Sequence, residues 1–275
     1  MKKKLEGVIV CVNYGDILAH TLPHNRHYFD DLIVVTDLWD DRTRAVCEFW
    51  DVKCITTNLF YDQGDIFNKG NGINVGLKHM SLDSWVVQLD ADIFLPPQFR
   101  KIFEILELDK NCLYGCDRWM INSYDEWMQF YCCPRPMHQS FVYTLQNTFT
   151  DKGCRVSSFM NDGFYPIGFF QLWNPKQSNI WLYPNEHGEA NRTDMTFSKY
   201  WQKTQRRFIP EFTVAHLESE PAEMGMNWRG RKSKTFGVEV KPIVVNFEVF
   251  KYKKAETIMP GNDIGPLYFA QKDNK

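Results

Sequence analysis

The residues of this chain best suited to chemistry are the carboxylates of Asp90-Ala91-Asp92, which follow directly on the apolar residues Val86, Val87 and Leu89. Alternation along an extended backbone predicts that Asp90 and Asp92 point to one side with small Ala91 between them. Two hard oxygen ligands spaced in this way suit Mg2+ or Mn2+, ions that keep part of their water shell while gripping a diphosphate. An Asp-x-Asp triplet also arises by chance in a chain this rich in acids. Its position, between a strand of buried type and the apolar pair Ile93-Phe94, is what points to function. Later, Gly225-Met226-Asn227-Trp228-Arg229-Gly230-Arg231-Lys232-Ser233-Lys234 ends in a run dense with cations. Such a loop can fold over a diphosphate, neutralise a leaving group and exclude water. The plain alternative is a solvated basic loop, and an acidic acceptor is compatible with it too.

Positioning the acids requires a sheet. Short β-rich runs alternate with helical stretches in the first hundred residues, the pattern of a parallel sheet covered by helices on both faces. Strands are predicted at Gly7 to Asn13, Asp31 to Asp37, Val52 to Thr56 and Ser84 to Asp90, with helices at Arg42 to Trp50 and Gly72 to Met80. The last of these strands is almost continuously apolar, as for burial on both faces. In open sheets ligands bind beyond the carboxyl ends of the strands, where the two acids stand. Further on, the pattern predicts a helix near Phe99 to Leu108 and strands at Cys112 to Cys116, Pro166 to Trp173 and Phe212 to His216. A helix is predicted at Asp194 to Gln202, and a loop over Glu218 to Gly237. Residues 118–160 give no clear pattern.

With 275 residues, 44% hydrophobic and 24% charged, the chain can bury one sizeable core, which excludes disordered and low-complexity classes. The net charge of -2 excludes a general polycation. It is unevenly spread: residues 1–195 hold 18 basic against 25 acidic side chains, a net −7, and residues 196–275 hold 14 against 9, a net +5. Anions are therefore expected to be met late in the chain. Neither a signal segment nor an apolar run of membrane-spanning length is visible, so a soluble, cytoplasmic protein without stable membrane insertion is expected. Cys11 and Cys54 read as reduced core residues. A zinc site from Cys112, Cys116, Cys132, Cys133 and His138 fits known ligand spacings poorly.

The chain resembles the GT-A class of nucleotide-sugar glycosyltransferases, family-2-like members in particular. The resemblance rests on Val10 to Tyr14 after the first strand, Asp37 ending the second, and Asn68 to Asn74 opening a helix. It continues with Asp90-Ala91-Asp92, Gly168 to Leu172, Asp194 at a helix start, and Val214 to Leu217. It implies an α/β GT-A fold with a mostly parallel central sheet, helices on both faces and a C-terminal acceptor-side extension. The implied single domain spans residues 1–275. Within it, 1–110 hold the nucleotide sugar, 111–240 form the acceptor and catalytic half with a closing loop at 218–237, and 241–275 form the extension.

Carried over residue by residue, the resemblance implies that Val12, Asn13 and Tyr14 lie against the nucleobase and Asp37 holds base or ribose. Lys69 and Asn74 flank the ribose and diphosphate; Arg229 and Arg231 are the candidates that the basic loop itself offers to close over it. Asp90 faces the ribose and the metal, Asp92 binds Mn2+ or Mg2+ directly, and His216 is a third ligand. An inverting transfer also needs a base for the acceptor hydroxyl. The resemblance implies Asp194, followed at helical spacing by Phe197, Tyr200 and Trp201, with Glu189 as the second candidate. Plain structural readings stand beside these: Asn13-Tyr14-Gly15 as a turn, Asp37 or Thr193 as a helix cap, His216 as a core residue. Phe169, Phe170, Trp173 and Trp181 read mainly as core near the acceptor side.

The expected activity is metal-dependent, inverting transfer from a UDP-linked sugar to a cell-surface glycan or lipid-linked saccharide. Against that acceptor stands the lack of any amphipathic anchor. The alternatives are a phage-type DNA glycosyltransferase acting on hydroxymethylated cytosine in duplex DNA, in the host cytoplasm, and a non-catalytic nucleotide-sugar-binding protein.

Overall fold

The computed structural model describes residues 2–121, 123–125, 127–128, 148–150, 153–155, 159–160, 163–188, 190, 193–217 and 236. These fall within one compact unit, Met1–Phe236.

The first half is built as the alternating pattern predicts. Strand β1 (Leu5–Val10) is buried along its whole length and pairs in parallel with β2 (Asp31–Asp37) and with β4 (Trp85–Asp90). Strand β3 (Lys53–Thr57) extends the sheet beyond β2, also in parallel. Side-chain alternation sorts the two faces. Leu5, Ile9, Leu32, Val34, Val87 and Leu89 face α1 (Gly15–Asn25), α2 (Asp41–Trp50) and α4 (Phe99–Ile105). Val8, Val10, Ile33, Val35 and Val86 face α3 (Lys69–Leu77). Helix α3 lies close because its glycines permit it: a Cβ at Gly76 would come within 2.5 Å of Val8 Cγ2, and one at Gly72 within 2.2 Å of Phe60.

Several elements differ from the sequence pattern, each for a physical reason. Helix α1 falls where no element is predicted, since Gly15 and Pro23 are poor helix formers and its burial supplies the stability instead. Helix α3 starts at Lys69 because the Asn68 side chain caps it, accepting from Asn71 N at 3.0 Å. Helix α4 stops at Ile105, short of the expected Leu108, where Leu106 turns to extended backbone.

The second half turns the sheet. After β5 (Ile93–Phe94) and α4 comes β6 (Leu113–Ile121), longer than the expected Cys112 to Cys116. Short strands β7 (Thr148–Thr150) and β8 (Gly153–Arg155) join the edge of β6, and β9 (Phe159–Met160) pairs with β10 (Gly163–Phe164). Then β11 (Phe170–Trp173) inserts antiparallel between β4 and β6. A short α5 (Pro175–Ser178), the six-residue α6 (Thr193–Ser198) and β12 (Arg206–Leu217) complete the described unit. Strand β12 runs through Pro210 with a register shift between Phe208 and Thr213, so it is longer than the predicted Phe212 to His216.

The strand order is β3-β2-β1-β4-β11-β6-β12-β5. Strands β4 and β5 are separated in sequence by Ala91 and Asp92 alone, yet lie four places apart in this order. A flat sheet would separate them by about 19 Å, whereas the three Cα steps from Asp90 to Ile93 reach about 11 Å at most. The sheet must therefore curl back on itself, and the Asp90–Asp92 corner is where it does so. The corner is pinned on both sides: Asp90 N donates to Phe169 O at 3.1 Å, and Leu217 N donates to Asp92 O at 2.8 Å. Among the described residues no helix is long and apolar enough to cross a membrane.

Candidate active site

The curl separates the roles of the two acids. Asp90 ends β4, and its Oδ1 accepts from Gln88 Nε2 at 3.0 Å and is ion-paired with Lys69 Nζ. Lys69 also donates to Gly168 O at 3.2 Å. Asp92 lies beyond the strand end, in the turn, so strand alternation does not place it beside Asp90 as the pattern predicts. Its Oδ2 stands 3.1 Å from His216 Nε2, because β5 pairs with β12 in the register Ile93 to His216. Burial pushes the Asp92 carboxyl up, but His216 and Lys69 outweigh this and hold it below the usual carboxylate range.

Asp92 Oδ1 is buried and has no hydrogen-bond partner among the described residues. A buried anionic oxygen left in this way is costly unless a cation meets it, so this donor fits Mn2+ or Mg2+. His216 is constrained by a residue the sequence pattern does not reveal. Arg118, from β6, places Nη1 2.6 Å from His216 Nδ1 and lies 4.8 Å over the Phe169 ring. A guanidinium can only donate, so Nδ1 accepts and the neutral ring carries its proton on Nε2, facing Asp92. For Nε2 to ligate a metal, the Arg118 contact would have to be exchanged. Among the described residues no group of three or more His, Cys, Asp or Glu side chains could hold a metal on its own.

Asp194 reaches the same region from α6. Its Oδ2 accepts from Gly168 N at 2.6 Å and its Oδ1 from Met195 N at 2.8 Å. Burial raises its pKa despite opposing contributions from Lys69 and the two amides, with Asp90 adding to the rise. Gly168 thus links the acids, with its carbonyl on Lys69 and its amide on Asp194. A Cβ there would approach Asp194 Cβ to 3.0 Å. Thr193 lies inside α6 with its hydroxyl buried and without a hydrogen-bond partner among the described residues, so it is not the cap.

At the far end of β1, Val12 is core, and Asn13 is exposed in the left-handed region at φ 59. Its amide donates to Asp40 Oδ2 at 2.7 Å. Buried Asp40 also accepts from Thr36 Oγ1, Thr43 Oγ1 and Thr43 N, capping α2 while it fixes the turn after β1. Asp37, read as a possible cap, instead accepts from Trp39 N at 2.9 Å in the loop before that helix. Tyr14 is half-buried against the core. Asn74, expected beside ribose and diphosphate, has its side chain engaged by the backbone of Tyr183. Its side-chain amide accepts from Tyr183 N at 2.8 Å and donates to Tyr183 O at 3.1 Å, so it latches the loop before α6.

Glu189, Arg229 and Arg231 lie outside the described residues, as do Cys132, Cys133 and His138. Of the loop at 218–237 only Phe236 is described; its amide donates to buried Asp16 Oδ2 at 2.6 Å. Cys112 and Cys116 are free, buried thiols, and Cys11 and Cys54 are also free. Phe169, Phe170 and Trp173 are core, whereas Trp181 is 40% exposed.

No protein-family model and no curated protein matches the chain. Among solved structures it is similar to glucosyl-3-phosphoglycerate synthase from Mycobacterium tuberculosis, seen in complex with Mn2+, UDP and glucosyl-3-phosphoglycerate. That likeness has 18% identity and a TM-score of 0.32, and covers 42% of this chain and 44% of that one. It is also similar to mannosyl-3-phosphoglycerate synthase from Rubrobacter xylanophilus, with 19% identity and a TM-score of 0.35, over 43% of this chain and 41% of that one. The chain thus spans less than half the length of these structures.

Proposed function

We propose that this protein is a metal-dependent GT-A glycosyltransferase that moves a sugar from a UDP-linked donor to an acceptor hydroxyl with inversion. One observation carries the reading: a buried, ionised Asp92 oxygen without a hydrogen-bond partner among the described residues stands at the same sheet corner as Asp194, whose basicity is raised. Asp92 would hold the Mn2+ or Mg2+, and Asp90, at the end of β4, would face the ribose and the ion from the strand side. The bound ion supplies Lewis-acid stabilisation of the diphosphate as charge develops on it. Lys69 adds a fixed cation between the acids, and the Val12-Asn13-Tyr14 turn together with Asp37 offers the nucleoside side. Asp194 takes the proton of the acceptor hydroxyl. The acceptor oxygen then bonds to the anomeric carbon, while the carbon–oxygen bond to the diphosphate breaks and its electron pair leaves with UDP.

The acceptor is proposed to be a glycan or lipid-linked saccharide. The net +5 of residues 196–275 favours one second reading, duplex DNA carrying hydroxymethylcytosine. A screen of nucleotide sugars with Mn2+ tests the donor: turnover of a UDP-sugar is expected, lost on chelation and in Asp92→Ala. Undiminished turnover in that variant with chelator present would overturn the metal assignment. Binding of the nucleotide sugar without any turnover would leave a non-catalytic binding protein. A gel shift with duplex DNA, titrated with salt, separates the two acceptors.

A further inference from the structure

We propose that Gln171 is a positioning residue that sets the Asp194 carboxyl against the sheet corner; the inference rests on the reading of Asp194 as base. Gln171 is fully buried in β11, directly opposite Gln88 of β4. Gln88 gives its amide to the Asp90 carboxylate, and Gln171 gives its own to the main-chain carbonyl of Asp194.

The orientation of Gln171 is unambiguous from its partners. Its two Nε2 hydrogens are shared among Pro166 O at 2.7 Å, Ser198 Oγ at 3.1 Å and Asp194 O at 3.2 Å, while its Oε1 accepts from the Tyr183 hydroxyl. Carbonyl oxygens only accept, so a flipped amide would face two of them with its own oxygen. Helix α6 has six residues, too few to hold its direction alone. Gln171 reaches both of its ends, at Asp194 and Ser198, and Ser198 Oγ donates in turn to Pro166 O at 2.6 Å. The first turn of α6 is thereby held on the strand that precedes it, and the Asp194 carboxyl is brought to Gly168 N.

Gln171→Met keeps the length of the side chain and removes the amide donations to Pro166, Ser198 and Asp194. In that variant kcat should fall at least tenfold, while the donor KM and Mn2+-dependent UDP affinity stay within about twofold, because the donor contacts lie on other strands. The loss should not add to that of Asp194→Asn in the double variant, as expected when one residue acts through the other. A second readout needs no activity: the Gly168 amide proton donates to Asp194 at 2.6 Å and is expected downfield in the parent, and it should move upfield in Gln171→Met. An unmoved Gly168 amide, or losses that multiply in the double variant, would overturn the proposal. If Asp194→Asn keeps full activity while the Gly168 amide moves, the positioning stands and the base assignment falls. Should Gln171→Met fail to fold, Ser198→Ala removes one partner alone and is judged by the same amide shift.

Discussion

Asp194 and Asp92 are both buried carboxylates, and their surroundings drive them in opposite directions. Desolvation dominates at Asp194 and raises its pKa, which suits a base. At Asp92 the neighbouring His216 and Lys69 overcome desolvation. The raised Asp194 value has two consequences. The acidic limb of the transfer rate should lie above the usual carboxylate range, with the rate rising as Asp194 loses its proton. For stability the sign is reversed: the folded state holds this proton more tightly than the unfolded chain, so the contribution is full below the unfolded pKa and is lost as pH rises through the folded one. Asp194→Asn should therefore lower kcat by about 10²- to 10⁴-fold, and the stability of the parent relative to this variant should fall as pH rises through the folded pKa. A fully active variant whose stability relative to the parent does not change with pH would contradict both expectations.

At the scale of elements, the site depends on caps and close approaches more than on helix propensity. Asp40 serves β1, β2 and α2 together through Asn13, Thr36 and Thr43. Removing it strands several buried donors in addition to a helix end. Asp40→Ala should cost about 2–4 kcal/mol, more than an ordinary cap, and should weaken nucleotide binding through Asn13; urea denaturation and UDP titration measure the two effects. Gly72 faces Phe60, and Gly72→Ala should cost about 1–3 kcal/mol by overpacking even though alanine favours helix. The same denaturation experiment reads it, and a stabilised variant would show that the α3 packing is looser than described.

For the molecule as a whole, the curl of the sheet creates the site, so ligand binding and folding should be coupled there. UDP with Mn2+ at about 100 times its Kd should stabilise the protein by about 2.7 kcal/mol, read as a rise in melting temperature that disappears in Asp92→Asn. An equal rise in that variant would place the nucleotide elsewhere.

The parallel half of the fold is legible because burial on a strand leaves a local signature: Val8 to Val12 and Leu32 to Val35 are apolar runs of strand length, and Trp85 to Leu89 is one but for Gln88. The same logic locates Asp90 and Asp92 at a strand end. Other assignments are not legible in this way. Gln88 and Gln171 look like polar interruptions in apolar strands until the sheet pairs them, and Arg118 lies where no pattern is readable. Asn74 carries the same amide whether it meets a ribose or a backbone. Local sequence thus fixes which segments are buried and where acids end a strand, since side-chain periodicity is written over a few residues. The meeting of Asp92 with His216 and of Asp194 with Gly168 belongs to tertiary structure alone, because it follows from a sheet that closes over strands distant in the chain.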